Sequence, residues 1–207
     1  MAQKFDYTSD YKRLLFHPHK IFMLLSILAL FLVFFFTVLS YIYILVTSDM
    51  PPIELPWLFL FNTVFLLASS YSIRKVASMY KIDNTSGYQT WLWITLGFAL
   101  LFIIFQFLGW SHLNDAGLYL SSPTQNTTSF LWVVSILHLV HVLGGLVPLL
   151  IFIYVSTQRM KDPVSVLIYF SDPEKKLRLR MLSYYWHFLD LLWIFLVVVF
   201  MACRFIF

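Results

Sequence analysis

The stretch MLSYYWHFLDLLWIFLVVVFMACRFIF, residues 181–207, decides the fold. From Leu191 to Cys203 no charged or amide side chain interrupts it. About 20 apolar residues in a helix, rising about 1.5 Å each, cross the hydrocarbon core of a bilayer. The stretch therefore reads as a membrane-spanning helix, span V, over 181–206. Working outward toward the N-terminus, the same pattern recurs at 129–157 (span IV), 88–111 (span III), 57–80 (span II) and 21–46 (span I). The separators are polar or helix-breaking. TSDMPPIELP carries three prolines, KIDNTSG reads as a turn, HLNDAGLYLSSPTQNTT reads as a loop, and QRMKDPVSVLIYFSDPEKKLRLR is charged. The expectation is an all-α integral membrane protein, one domain over 1–207, built as a five-transmembrane-helix bundle.

Composition agrees. The 207 residues are 60% hydrophobic, 20% aromatic and only 12% charged, with a mean hydropathy of +0.81. Soluble domains average about 25% charged residues, so an ordinary soluble protein is excluded. Disordered chains are poor in aromatics, and this one has 22 Phe, 12 Tyr and 7 Trp. The single cysteine, Cys203, permits no disulfide within the chain and no cysteine-rich metal site. Residues 1–20 are mixed and polar, and the apolar run after them is too long for a signal peptide and ends in no A-x-A-like site.

Charge sets the expected orientation. Lys4, Lys12, Arg13 and Lys20 precede span I, and Arg74, Lys75 and Lys81 flank the II–III turn. Arg159, Lys161, Lys175, Lys176, Arg178 and Arg180 fill the IV–V segment. Of the 14 basic residues only Arg204 falls on the other side, which the acidic Asp49, Glu54 and Asp115 mark. The positive-inside rule then places the N-terminus inside and the C-terminus outside. The net charge of +4 is explained by these loops without invoking nucleic acid. Trp57, Trp91, Trp110, Trp132 and Trp186 fall near predicted helix ends, as an interfacial aromatic belt would.

Ionisable side chains inside a span are costly and face the bundle interior with a partner. Here they are His138, His141, His187 and Asp190, with Asn62 and Gln106 as buried amides. His187 and Asp190 are three apart and share a helix face. They suit a proton site or a polar lock to another subunit, or, more simply, a local His–Asp pair or a bond to a neighbouring helix. His138 and His141 are also three apart, but no Cys, Asp or Glu accompanies them at their depth, so they read as hydrogen-bonded packing residues in place of metal or haem ligands. Asn62 and Gln106 fall at similar depth and suit an interhelical contact, while Ala68, Ser69, Ser70, Gly144 and Gly145 let backbones approach. Phosphate loops, G-x-S-x-G and HExxH are absent from the sequence, and no broken-helix repeat points to a transporter.

These residues carry a family resemblance. The run YWHFLDLLWIF, residues 185–195, resembles the YWHFVDVVWLFL signature of haem–copper oxidase subunit III. HLVHV at 138–142, followed by Gly145, resembles the family's HGLHV. Asn62-Thr63 with Leu66-Leu67-Ala68-Ser69 is similar to its LNTxxLLxSS helix, and Thr95-Leu96-Gly97 with Gln106 to its TLGxxF…Q helix. Order and spacing match from about Pro56 to the end. Two departures stand out. Gly109 and Trp110 replace the Glu and Tyr of the family's Q-x-x-E-Y, and span I has no carboxylate where the family often buries a Glu.

The resemblance implies the short, five-span bacterial form, an accessory subunit of a proton-pumping terminal oxidase that reduces oxygen to water. It implies no catalytic, cofactor-binding or metal-ligating residue in this chain, with haem and copper in partner subunits and phospholipid bound between the helices. Asn62, Gln106, His138, His141, Trp186, His187 and Asp190 would then make structural polar, subunit or lipid contacts. The partners implied are oxidase subunit I in direct contact, subunit II, a small subunit IV, membrane lipid and a larger respiratory supercomplex, in the bacterial cytoplasmic (inner) membrane. The alternatives are a cytochrome b-type membrane anchor of a respiratory enzyme and a small transporter.

Overall fold

A computed structural model describes residues 18–48, 52–53, 55–120 and 126–206. Lys4, Lys12, Arg13, Asp49 and Glu54, on which part of the orientation argument rests, lie outside them. The described residues form six helices and no strand: α1 (Pro18–Thr47), α2 (Trp57–Lys81), α3 (Thr85–Asp115), α4 (Asn126–Arg159), α5 (Pro163–Ser171) and α6 (Pro173–Ile206). Four of them, α1, α3, α4 and α6, are long and apolar enough to cross a membrane. The 25-residue α2 is diluted by Asn62, Thr63, four serines, Arg74 and Lys75.

The tightest unit is the α2–α3 hairpin. Asp83 turns the chain with φ of 54°. Asn84 caps α3, its Oδ1 accepting from the Gly87 N–H at 2.9 Å, which satisfies an otherwise orphaned amide. Along the shared face Thr95 donates to Ser72 Oγ at 3.0 Å, so small hydroxyls replace bulk where the helices approach. We call the hairpin's closed end, which α5 also flanks, the turn end, and the opposite one the loop end.

At the loop end Tyr41, Phe59, Phe102, Leu113, Trp193 and Phe200 are buried together. At the turn end Tyr80, Tyr88, Leu92, Tyr169 and Trp186 form a second core. Helix α1 is the outlier. Only 17% of its apolar window is buried, against 33–39% in the other three. It is held by Phe34, edge-on to His138 and His141, and by Tyr41, which packs on Phe130 and Phe200. The Tyr41 hydroxyl also accepts from the Ile53 N–H at 3.3 Å.

The charged segment before residue 181 is more ordered than its composition suggests. It contains α5, and α6 begins at Pro173. Proline suits a first helical turn because it lacks only an N–H that has no partner there. Asp172 Oδ1 accepts from the Glu174 N–H at 2.9 Å, and Glu174 bonds Arg178 one turn on at 3.0 Å. Desolvation is the largest single influence on the Asp172 carboxyl and pushes it up, but Lys175 and the N–H groups of Glu174 and Lys175 together outweigh it and hold the group below the usual carboxylate range.

Candidate functional site

The polar residues of α6 meet α2 in antiparallel register. Trp193 Nε1 donates to Thr63 Oγ1 at 3.1 Å, and two turns away Trp186 Nε1 donates to Ser69 Oγ at 3.0 Å. Beside it Ser70 Oγ lies 2.6 Å from His187 Nδ1. The six-residue step from Thr63 to Ser69 on one helix is answered by the seven-residue step from Trp193 to Trp186 on the other, about two turns on each, so one face of each helix carries the ladder.

His187 Nδ1 is also 3.9 Å from Asp190 Oδ2, and Ser183 Oγ is 3.4 Å from its Nε2. Asp190 is buried, and its Oδ2 has no hydrogen-bond partner among the described residues. The His187 side chain is one-third exposed, so this chain of hydroxyl, imidazole and carboxyl reaches the bundle surface. Ser70 takes the Nδ1 position that a hydrolase reserves for its carboxylate, so the group is no nucleophilic triad. It can tie α2 to α6, and it can hold a proton between imidazole and carboxyl.

The two amides come together as well. Asn62 Nδ2 donates to Gln106 Oε1 at 3.2 Å, with both residues about 1% exposed. Asn62 Oδ1 and Gln106 Nε2 have no hydrogen-bond partner among the described residues, so the pair satisfies half of itself. His138 departs from the expected hydrogen-bonded packing residue. It is fully buried and neither ring nitrogen has a hydrogen-bond partner among the described residues. It sits instead among rings, with centroids 4.9 Å from Trp193 and 5.6 Å from Phe102. His141 behaves differently, its Nδ1 lying 2.6 Å from the carbonyl of Leu137 on its own helix.

The aromatic belt needs correction. Trp57 is exposed, but Trp132 and Trp186 are buried. Trp132 donates to the Leu118 carbonyl at 2.9 Å, and Trp110 to Ser135 Oγ at 2.9 Å. Their N–H groups serve the protein in place of a head-group layer. Trp186 lies deep in α6 because that helix starts well before residue 181. At Gly109 an added Cβ would stand 2.9 Å from Phe59 Cε2. Phe59 thus fills the space where the family pattern has a Glu.

Away from this ladder α1 parts from α4 and α6, and a cleft of about 1090 Å³ opens between them. Phe22, Leu30, Phe152 and Tyr185 contribute apolar wall, His141 and Gly144 line it, and Lys175 and Arg178 stand along it at the turn end. Tyr185 is fixed by donating to the His141 carbonyl at 3.0 Å and by lying against Gly145, where a Cβ would meet its ring at 3.0 Å. The resemblance implied phospholipid between the helices without saying which helices part, and the sequence reading took Ser69 and Ser70 for spacers. The available signal was that Thr63 and Ser69 of α2 and Trp186 and Trp193 of α6 are each about two turns apart. Among the described residues no group of three or more His, Cys, Asp or Glu is placed to hold a metal.

Comparison with known proteins bears on these motifs directly. No family model matches the chain. The chain is 31% identical over 143 residues to the cytochrome bo(3) ubiquinol oxidase subunit 3 of Buchnera aphidicola subsp. Baizongia pistaciae, covering 67% of this chain and 66% of that one. It belongs to the oxidase subunit III family. It is also 32% identical over 144 residues to the cytochrome c oxidase subunit 3 of Schizophyllum commune, covering 68% of this chain and 47% of the relative. A probable cytochrome c oxidase subunit 3 of Nocardia farcinica is 28% identical over 132 residues, 64% and 59% of the two chains. The chain thus spans about half to two-thirds of the length of these subunit III relatives. As a family member with several helices apolar enough to cross a bilayer, it is a multi-pass membrane protein.

Proposed function

We propose that this chain is the accessory subunit III of a proton-pumping haem–copper oxidase in a bacterial cytoplasmic membrane. In this reading it spans the bilayer five times with its N-terminus inside, packs on catalytic subunit I, and holds no redox centre. The observation that carries the reading is about 30% identity, over two-thirds of the chain, to relatives named as subunit 3 of two oxidase types. Helix α2 crosses as the fifth span because α3 partners its Asn62 and Ser72 and α6 partners its Ser69, all of them buried from lipid. Catalytic subunit I carries the haems and the copper, and subunit II and a small subunit IV complete the set of partners. Subunit III contributes rigidity and a lipid reservoir at their side, and it supports proton uptake.

The cleft beside α1 is the lipid site. Its long apolar wall suits acyl chains, and Lys175 and Arg178 suit an anionic phosphate. The ladder of Ser69, Ser70, Trp186 and His187 serves as a polar lock that keeps α2 and α6 in register while the lipid-facing helix moves.

The test is purification of the tagged chain from its native membrane in mild detergent, with a reduced-minus-oxidised spectrum and identification of each co-purifying band. A larger many-span partner with high-spin haem and oxygen consumption is the expected result. A colourless chain on its own, or low-spin haem b retained by the isolated chain, would overturn the reading. In the same preparation, exchanging Lys175 and Arg178 together for Gln is expected to release bound anionic phospholipid, counted by mass spectrometry, while leaving the haem spectrum unchanged.

A further inference from the structure

Helix α5 is apolar on both of its faces, and only one of them is covered. The covered face carries Tyr169 and Phe170, with Val166 half-buried beside them. It is fastened to the bundle by hydroxyls. Tyr80 donates to the Tyr169 carbonyl at 3.0 Å, and the Tyr88 and Tyr169 hydroxyls lie 3.2 Å apart. Phe170 packs edge-on against Tyr80 at 5.1 Å between centroids, and the Lys175 ammonium lies over the Tyr169 ring at 4.4 Å. The helix is therefore fixed in position and in rotation about its axis.

The opposite face presents Val164, Leu167 and Ile168, which are 69%, 66% and 63% exposed. Their spacing of three and four places them on one stripe. A nine-residue helix is about 14 Å long and cannot span a bilayer. It joins the ends of α4 and α6, two helices long and apolar enough to cross a membrane, so it sits at the membrane boundary. Cationic side chains bracket it in sequence. Arg159 and Lys161 precede it, and Lys175, Lys176, Arg178 and Arg180 follow.

We infer that the Val164–Leu167–Ile168 stripe dips into one leaflet of the bilayer, with the flanking cations among anionic head groups, so that α5 is an interfacial membrane-docking helix. Lipid is the occupant because the stripe is apolar, flat and bordered by positive charge along the head-group plane, the pattern of helices that lie in the interface. The flanks of this fixed helix carry the six cations against three acidic residues, Asp162, Asp172 and Glu174, two of them paired with Lys175 and Arg178, and the net positive border matches an anionic surface. The inference does not depend on the oxidase reading, since it concerns the bilayer alone.

The test places a nitroxide label at Leu167→Cys, and separately at Val164→Cys, in a chain whose native thiol is removed by Cys203→Ala. The chain is kept in its native membrane complex. Collision with dissolved oxygen, which concentrates in lipid, is compared with collision with a water-soluble nickel chelate. The expected result is an oxygen-to-nickel accessibility ratio several-fold above that of a label at Asp83→Cys in the α2–α3 turn. A ratio equal to that of the turn label would place the stripe in water. Low accessibility to both reagents would place it under a partner protein. Either result overturns the proposal. The two label sites lie one turn apart, so loss of one variant leaves the question answered by the other.

Discussion

Replacing the buried amide pair by apolar residues one at a time should damage the protein, and replacing both should repair it. Asn62 and Gln106 share one 3.2 Å hydrogen bond while Asn62 Oδ1 and Gln106 Nε2 find no partner in the core among the described residues. An interhelical side-chain bond within a membrane is worth about 0.6 kcal/mol on average and up to about 1.7. A buried polar group stripped of its partner costs about 1–3 kcal/mol. Gln106→Met removes the bond and leaves both polar atoms of Asn62 unpaired, so a loss of about 1–3 kcal/mol is expected, and Asn62→Val should cost a similar amount. The double variant removes the bond together with the two atoms that were already unsatisfied, and it should fall within about 1 kcal/mol of the native protein or above it. Reversible unfolding of the detergent-purified chain by a graded denaturing detergent, run as a double-mutant cycle, measures the coupling. Additive losses, with the double variant destabilised by the sum of the two, would refute the reasoning and assign the amides a partner outside the pair.

Other outcomes follow from the same geometry. Gly145→Ala should cost about 1–3 kcal/mol by driving a methyl group into the fixed Tyr185 ring. Gly97→Ala, where nothing stands within 4 Å, should gain up to about 1 kcal/mol by the better helix propensity of alanine, and melting temperatures of the two check this. Asp190→Ala should lower the yield and thermal stability of the assembled complex with its haem spectrum intact. Normal assembly with a lost proton-to-electron ratio would instead assign the carboxyl a proton-carrying role. Asp172→Ala should destabilise the α5–α6 junction by about 1 kcal/mol at neutral pH through loss of the helix cap. Because the folded-state carboxyl is held below its ordinary value, its charge-dependent share of stability is present above about pH 3.9 and is lost as pH falls through the folded value. Proteolysis at the junction should therefore distinguish variant from native less well in acid than at pH 7.

The long apolar runs at 21–46, 88–111, 129–157 and 181–206 were readable because a spanning helix needs little beyond uninterrupted apolar length. The contact between Asn62 and Gln106 was readable too, since two amides at one depth in adjacent antiparallel helices have few other choices. Helix α5 was hidden because VSVLIYF is too short to register as a span and is flanked by charge. His138 could not be read as unpaired, because burial among Phe34, Phe102 and Trp193 is a product of three different helices meeting. The indole of Trp186 was misplaced for a local reason: the capping by Asp172 moves the start of α6, and with it every residue's distance from the helix end. The cleft left no trace in any single segment, being the gap that remains when α1 leans away from its neighbours.

That lean bears on how the protein is made. A helix so apolar and so little covered can enter a bilayer by itself, before its neighbours exist to receive it. Its seat rests on one narrow stripe, Leu30, Phe34, Val38, Tyr41 and Leu45, and on the Ile53 amide beyond its end. The hairpin of α2 and α3, by contrast, joins Ser72 to Thr95 and Asn62 to Gln106 only when both helices are present, and its Thr63, Ser69 and Ser70 wait for α6. Biogenesis thus has a natural order, with the hairpin and α6 closing first and α1 seated afterwards. The same helix would be the first to unseat on heating, while the hydroxyl ladder between α2 and α6 still holds.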